Sequence, residues 1–230
     1  MNSIKQVVIL AGGKGTRMRE MTSDLPKPMV KIGNLPVLEH LLNIFKKYDE
    51  FEFLICSGYL GEVIEDYFSE FKNVKIVDTG IETNTGGRIV KIKKYLNESF
   101  IVTYGDGLAN VDISNLIKFH QNHKKKSTIT VTNPISRFGL VKFNKDNLVN
   151  EFVEKPKLPG YVNIGFMVFQ KDALKYFDKD SVLELEPLKR LVADKELKAF
   201  VHEGYFEPMD TYREYLHMNE LWNSGNPPWV

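Results

Sequence analysis

Residues 7–17 read Val-Val-Ile-Leu-Ala-Gly-Gly-Lys-Gly-Thr-Arg: a short apolar, β-branched run that ends in three glycines within four positions. The run Val7 to Leu10 is that of a buried strand, and the glycines mark a ligand loop at its end. Without Cβ atoms, successive backbone N–H groups can turn toward one small anion, an arrangement suited to a polyphosphate. A glycine turn can also form with no ligand at all. Two nearby cations favour phosphate: Arg17, and Lys27 in Asp24-Leu25-Pro26-Lys27-Pro28, where a proline on each side stiffens the backbone.

Two familiar phosphate loops are excluded. A Walker A loop needs Ser or Thr after Gly-Lys, but Gly15 follows Gly13-Lys14, and Val8 stands where the first glycine belongs. The dinucleotide fingerprint fails at Met18, which holds the third glycine position.

Beyond the loop, apolar periods alternate between strand and helix. Pro36 opens a helix with Val37, Leu38, Leu41, Leu42 and Phe45 on one face. Strands at Phe53 to Cys56, Val74 to Val77 and Phe100 to Tyr104 are separated by helical patterns at Val63 to Phe71, Ile89 to Leu96 and Ile113 to His120. This order predicts an α/β, Rossmann-like, mainly parallel sheet with helices on both faces. After His123 the pattern changes. Strands at Thr128 to Thr132, Gly139 to Phe143 and Leu148 to Val153, the last two joined by the turn Asn144-Lys145-Asp146-Asn147, predict a small antiparallel extension. Tyr161 to Phe169 reads as one more strand, and helices at Glu184 to Val192 and Tyr212 to Trp222 follow. Without repeat or linker, residues 1–230 read as a single domain, with a nucleotide half of about 1–125 and an acceptor half of about 126–230.

The charges balance, 31 Lys and Arg against 30 Asp and Glu, which argues against nucleic-acid or membrane partners. Lys124-Lys125-Lys126 reads as a solvated helix end. Cys56, the sole cysteine, excludes an internal disulfide and reads as a small buried hydrophobe. With no leader-like segment and no apolar run long enough to span a bilayer, a soluble cytoplasmic protein is expected.

The compound motif Leu10-Ala11-Gly12-Gly13-Lys14-Gly15-Thr16-Arg17 followed by Pro26-Lys27-Pro28 resembles that of the sugar-phosphate nucleotidyltransferases. Further stretches carry the resemblance along nearly the whole chain, closest to the glucose-1-phosphate cytidylyltransferase branch. They are Thr85-Gly86-Gly87-Arg88, Thr103-Tyr104-Gly105-Asp106-Gly107, Arg137-Phe138-Gly139, Glu154-Lys155-Pro156, Glu186-Pro187-Leu188, Pro208-Met209-Asp210-Thr211, Leu221-Trp222 and Pro228-Trp229.

The resemblance implies Mg²⁺-dependent transfer of CMP from CTP to a phosphorylated acceptor such as glucose 1-phosphate, with release of pyrophosphate. Leu10 to Thr16 and Gly105 would wrap the nucleotide, Arg17 would hold the triphosphate, and Lys27 would contact the reacting α-phosphate. Asp106 and Asp210 would bind Mg²⁺, whose preference is for oxygen ligands. Lys155 would grip the acceptor phosphate, and Glu154 and Asn163 would lie at the acceptor. Thr83, Gly86 and Arg88 would lie beside the base.

Other readings stand beside these roles. Asp210 could instead cap the helix that follows it. Glu154 and Lys155 could be an exposed pair in a hairpin loop. Another nucleotide, another acceptor, or a non-catalytic nucleotide-binding domain remain alternatives. A phosphate monoester, with a second pKa of about 6, attacks as a dianion and needs no general base. His40, His120, His123, His202 and His217, with no Ser or Cys partner in motif context, accordingly read as structural or surface residues.

Two departures from the branch stand out. The chain is shorter between Phe68 and Val77, a difference that bears on a possible homo-oligomer interface. Ile164 replaces a glycine next to the sugar, which predicts an apolar wall in the acceptor pocket.

Overall fold

The computed structural model describes residues 4–230, the side chains of Arg19 and Glu20 excepted. Strands Gln6–Leu10 (β1), Glu52–Ser57 (β2), Val74–Asp78 (β3) and Ser99–Tyr104 (β4) are parallel, in the spatial order β4-β1-β2-β3. The later half of the chain extends the same sheet with Ser127–Thr132 (β5), Val162–Asn163 (β6), Met167–Gln170 (β7) and Leu197–Val201 (β8). Here β7 runs antiparallel between β4 and β5, β6 is antiparallel to β5, and β8 is parallel to it, giving eight strands.

Successive strand residues point to opposite faces, so β1 feeds two cores. Val7 and Ile9 pack with Val37–Lys46 (α1), Gly61–Phe68 (α2), Ile113–His123 (α4) and Tyr212–Asn223 (α6). Val8 and Leu10 pack with Thr85–Lys91 (α3) and Glu186–Ala193 (α5). Covered on both faces, the central strands can be continuously apolar. Cys56 is fully buried there.

The chain visits β1, β2 and β3 in one direction and then crosses back to β4 on the other side of β1. Open α/β sheets bind ligands at such a reversal, beyond the carboxyl ends of the strands. The glycine loop follows β1 and Asp106 follows β4, so both border this crevice.

The expected strand Tyr161 to Phe169 is broken. Gly165 (φ +81°) and Phe166 (φ +50°) turn the chain between β6 and β7. Thr130 holds the break, accepting from Ile164 N–H (3.0 Å) and donating its hydroxyl to Phe166 O (2.8 Å). Two pairings carry no strand signal in the sequence: β8, with charged and half-exposed positions, and the short ladder Gly107–Ala109 with Phe206–Pro208. The hairpin Leu140–Phe143 with Val149–Val153 forms as expected, with Asn144 Oδ1 accepting from the N–H groups of Asp146 and Leu148.

Candidate active site

The crevice is a cleft of about 490 Å³ bounded by Leu10 to Arg17, Ile81 to Thr85 and Tyr104 to Asp106, with Lys27 and Pro28 at its base. In the glycine loop, Gly15 has φ +60°, a conformation that favours glycine. A Cβ on Gly12 would collide with the Arg88 guanidinium. Gly12 O is tied down by Arg88 Nη2 (2.9 Å) and Tyr59 N–H (3.2 Å). Among the described residues, none accepts a hydrogen bond from the N–H of Gly13, Lys14 or Gly15. These free donors are what an incoming phosphate chain would satisfy.

Lys27 sits on a single 3₁₀ turn, Lys27–Met29, after an extended Pro26. Its ammonium lies 2.5 Å from Asp106 Oδ2 and 2.7 Å from Asp210 Oδ1, while Arg17 Nη1 reaches Asp210 Oδ2 at 2.6 Å. Burial alone would lower the Lys27 pKa, but the two carboxylates outweigh it and hold the group above the ordinary lysine value. Burial raises Asp210, yet Lys27 and Arg17 overcome this and hold its carboxyl below its ordinary value. The result is a fixed cation between two anions, with most of the Arg17 side chain in solvent.

The two aspartates meet because the Gly107–Ala109 ladder pairs Pro208 with Gly107 and lets Met209 N–H donate to Asp106 O (2.8 Å). Asp210 is not the cap of α6. Thr211 is, in a capping box with Glu214, whose Oε2 accepts from the N–H groups of Asp210 (2.8 Å) and Thr211 (2.9 Å). The Asp210 carboxylate is therefore free for the cleft.

A second cleft of about 310 Å³, containing Asn163, Ile164, Phe206 and Pro208, shares Arg17, Tyr104 and Asp106 with the first. Two ligand spaces thus join at the Lys27 cluster. Tyr104 stands at the junction, its hydroxyl donating to Glu184 Oε1, while Thr85 donates to Glu184 Oε2 (3.0 Å). Burial and Glu184 both push the Tyr104 pKa up, so it remains a neutral donor.

The residues expected beside the base divide between the cleft and its surroundings. Gly86 is absent from the cleft lining; it packs on Ser181, where a Cβ would find no room. Arg88 borders the cleft but is 3% exposed, and donates to Ser57 O (2.9 Å), Thr79 Oγ1 (2.5 Å) and Gly12 O. These hydrogen bonds tie the loop scaffold together at the edge of the cleft. Thr83 lines the cleft, but its hydroxyl donates to Thr79 O (2.5 Å).

Glu154 and Lys155 are exposed at the end of the hairpin, and Lys155 borders a third cleft with Arg137, Arg213 and His217, apart from the Lys27 cluster. Ile164 is only 3% exposed and belongs to the main core, yet it also borders the second cleft, the space where the apolar wall was anticipated. The five histidines bond elsewhere: His40 to Ile32 O, His120 and His123 to Thr128, His202 to Tyr205 O and His217 to Glu207.

Tyr104, Glu184, Asn84 and the Lys14–Glu82 ion pair (2.6 Å) across the cleft mouth were not identified from sequence. Tyr104 lies inside the Thr103 to Gly107 motif and Lys14 inside the glycine loop, whereas Glu184, Asn84 and Glu82 carried no signal.

A glycine loop, a buried lysine and paired aspartates at the sheet reversal define a nucleotide-binding α/β transferase site. Residues 6–214 match the nucleotidyl transferase family, and the chain belongs to that family. It is 39% identical to the glucose-1-phosphate cytidylyltransferase of Salmonella typhimurium and 37% identical to the probable glucose-1-phosphate cytidylyltransferase of Bacillus subtilis. Each comparison covers 97% of this chain and 98% of the relative. The alignments run over 253 and 251 positions against 230 residues here, so both relatives carry segments this chain lacks. Among solved structures, HddC from Yersinia pseudotuberculosis is similar, with TM-score 0.72 and 27% identity over 95% of this chain and 100% of that one.

Proposed function

We propose that the chain transfers CMP from CTP to a sugar 1-phosphate, with glucose 1-phosphate the simplest acceptor, and releases pyrophosphate. The observation that carries this reading is Lys27, fixed between Asp106 and Asp210 where the two clefts join. The names of the cytidylyltransferase relatives support the choice of CTP and glucose 1-phosphate.

In this reading the triphosphate lies along the N–H groups of Gly13 to Gly15, and the sugar phosphate enters between Asn163 and Phe206. An oxygen of the acceptor phosphate, dianionic at neutral pH, attacks the α-phosphorus. The bond from that phosphorus to the β-phosphate bridging oxygen breaks, and pyrophosphate leaves with the electron pair. Lys27 and Arg17 stabilise the charge that gathers on the phosphoryl oxygens. The rigid mounting of Lys27 means that little reorganisation is required.

The site chemistry fits Mg²⁺. Asp106 and Asp210 offer oxygen alone, and among the described residues no group of three or more His, Cys, Asp or Glu forms a ready cage. A dication here would take its remaining ligands from phosphates and water, as Mg²⁺ commonly does. When bound it would neutralise phosphate charge, with Asp106 and Asp210 as its protein ligands.

Among the described residues no helix is long and apolar enough to cross a membrane. We place the protein in the cytoplasm.

Pyrophosphate release measured with CTP, UTP, dTTP, GTP and ATP against several sugar phosphates tests the reading. CTP with glucose 1-phosphate is expected to give the highest kcat/KM. Release with none of the pairs, or a clear preference for another nucleotide, contradicts it.

A further inference from the structure

Glu214 makes more hydrogen bonds than its helix needs. A capping box asks one bond of its glutamate, to the backbone N–H of the cap residue, and Glu214 Oε2 accepts that bond from Thr211 (2.9 Å). The other two bonds lie outside the box. The same Oε2 accepts from Asp210 N–H (2.8 Å), and Oε1 accepts from Arg137 Nη2, 77 residues away in sequence. Glu214 is 9% exposed. A carboxylate so nearly buried is costly unless donors occupy its oxygens, and here three donors do.

The extra bonds converge on the bend that carries Asp210. On its N-terminal side the chain is pinned by the ladder, where Pro208 lies opposite Gly107 and Met209 N–H donates to Asp106 O. On its C-terminal side α6 begins. Asp210 N–H sits between the two, shared by Pro208 O (3.0 Å) and Glu214 Oε2. From this bend projects the carboxylate that Lys27 and Arg17 reach. A rotation of the bend would carry it off Lys27, and a site of this kind has to hold its geometry to within about 0.5 Å. Arg137 braces Glu214 from the stem of the hairpin, where Ser136 N–H donates to Pro156 O (2.8 Å).

We propose that Glu214, braced by Arg137, is a positioning residue for Asp210, fixing the bend so that this carboxylate meets a dication together with Asp106. The proposal rests on the preceding reading for what Asp210 binds. Glu214 borders neither of the two clefts that join at Lys27, so it acts through Asp210 and not on a ligand. Arg137 has a second effect. It balances the Glu214 charge, so no unpaired third carboxylate is left near the two that would take the metal. The stem of the exposed hairpin is thereby tied to the metal-binding bend.

Three variants of the full chain separate positioning from capping. Thr211→Ala loses the cap acceptor but keeps the carboxylate, whereas Glu214→Gln keeps an oxygen for the two N–H groups and gives up the charge that holds Arg137. Arg137→Ala removes the brace at a side chain that is 65% exposed, and it decides alone if Glu214→Gln fails to fold. Hydrogen exchange of the Asp210 amide is measured without ligand, and Mn²⁺ binding beside CTP by electron paramagnetic resonance. Glu214→Gln and Arg137→Ala are each expected to speed the exchange and to weaken Mn²⁺ binding by about tenfold, as loss of a group that orients a metal ligand commonly does. Thr211→Ala is expected to leave Mn²⁺ affinity unchanged. Unchanged exchange in both variants, unchanged Mn²⁺ affinity in both, or a loss in Thr211→Ala as large as theirs overturns the proposal. Failure of the proposed function reads differently: the unmodified protein then binds no Mn²⁺ beside CTP and releases no pyrophosphate, while exchange at Asp210 still decides whether Glu214 holds the bend.

Discussion

Asp106 O accepts a hydrogen bond from Met209 N–H at 2.8 Å, and through that contact two aspartates remote in sequence face one lysine. The contact extends a three-residue ladder in which Pro208 lies opposite Gly107. Its position immediately after β4 ties the C-terminal third of the chain to the ligand-binding end of the sheet.

The cap and the carboxylate separate cleanly by mutation. Thr211→Ala removes the side-chain acceptor of the α6 capping box and is expected to cost about 1 kcal/mol of stability while turnover is kept. Asp210→Asn is expected to reduce turnover at least ~100-fold and to weaken its dependence on Mg²⁺ concentration, since a charged oxygen ligand becomes neutral. Chemical denaturation and steady-state kinetics on both variants check the pair. A reduced melting temperature with full turnover in Asp210→Asn contradicts the assignment.

Acid unfolding reports the same carboxylate. The folded Asp210 pKa lies below its ordinary value of 3.8, so its contribution is present above that pH and is lost as pH falls through the folded value. Lys27 is raised above 10.5, so its contribution is present below that pH and is lost as pH climbs through the folded value. The Tm difference between the unmodified protein and Asp210→Asn is therefore expected to be steady near neutrality. It should narrow below about pH 4 and above about pH 10. Differential scanning calorimetry across pH reads this directly.

Arg88 is expected to act as scaffold. Arg88→Ala takes one donor each from Gly12 O, Ser57 O and Thr79 Oγ1 and opens a void, with an expected loss of about 1–3 kcal/mol. If Arg88 reads no base, the ratio of kcat/KM for CTP to that for UTP should stay within a factor of a few, even as both values fall. A changed nucleotide preference with unchanged stability would return Arg88 to the base.

How much of this was legible in the sequence depends on how local each signal is. The β-branched run before the glycines and the prolines flanking Lys27 are contiguous, and they announced the strand, the loop and a stiff cation. The partners of Arg88 come from Gly12, Ser57 and Thr79, on separate segments, and no spacing rule joins them. The ladder beside Asp106 was silent because Gly107 and Pro208 are poor strand formers held by tertiary pairing. Glu154-Lys155-Pro156 was legible as a motif but not as a position, since the exposed hairpin, not the motif, decides where its stem lies.

Ile164 illustrates the same limit. On a regular strand it could have faced the sugar fully, but ahead of the turn at Gly165 and Phe166 it lies mainly in the core at 3% exposure, with only an edge on the second cleft. Ile164→Gly is therefore expected to cost about 2–5 kcal/mol through the cavity it leaves, and to give no gain in kcat/KM for glucose 1-phosphate. Improved use of that acceptor would show that the edge of Ile164 on the second cleft acts as the apolar wall.

The central claim is that Lys27, held by Asp106 and Asp210, stabilises nucleotidyl transfer. Phosphorus-31 NMR of the purified protein with CTP, glucose 1-phosphate and Mg²⁺ follows the sugar diphosphate and pyrophosphate together. The account predicts equal amounts of both products, formed roughly 100-fold or more slowly by a folded Lys27→Ala variant at saturating substrate. No diphosphate product from the unmodified protein, or an undiminished rate from Lys27→Ala, would contradict it.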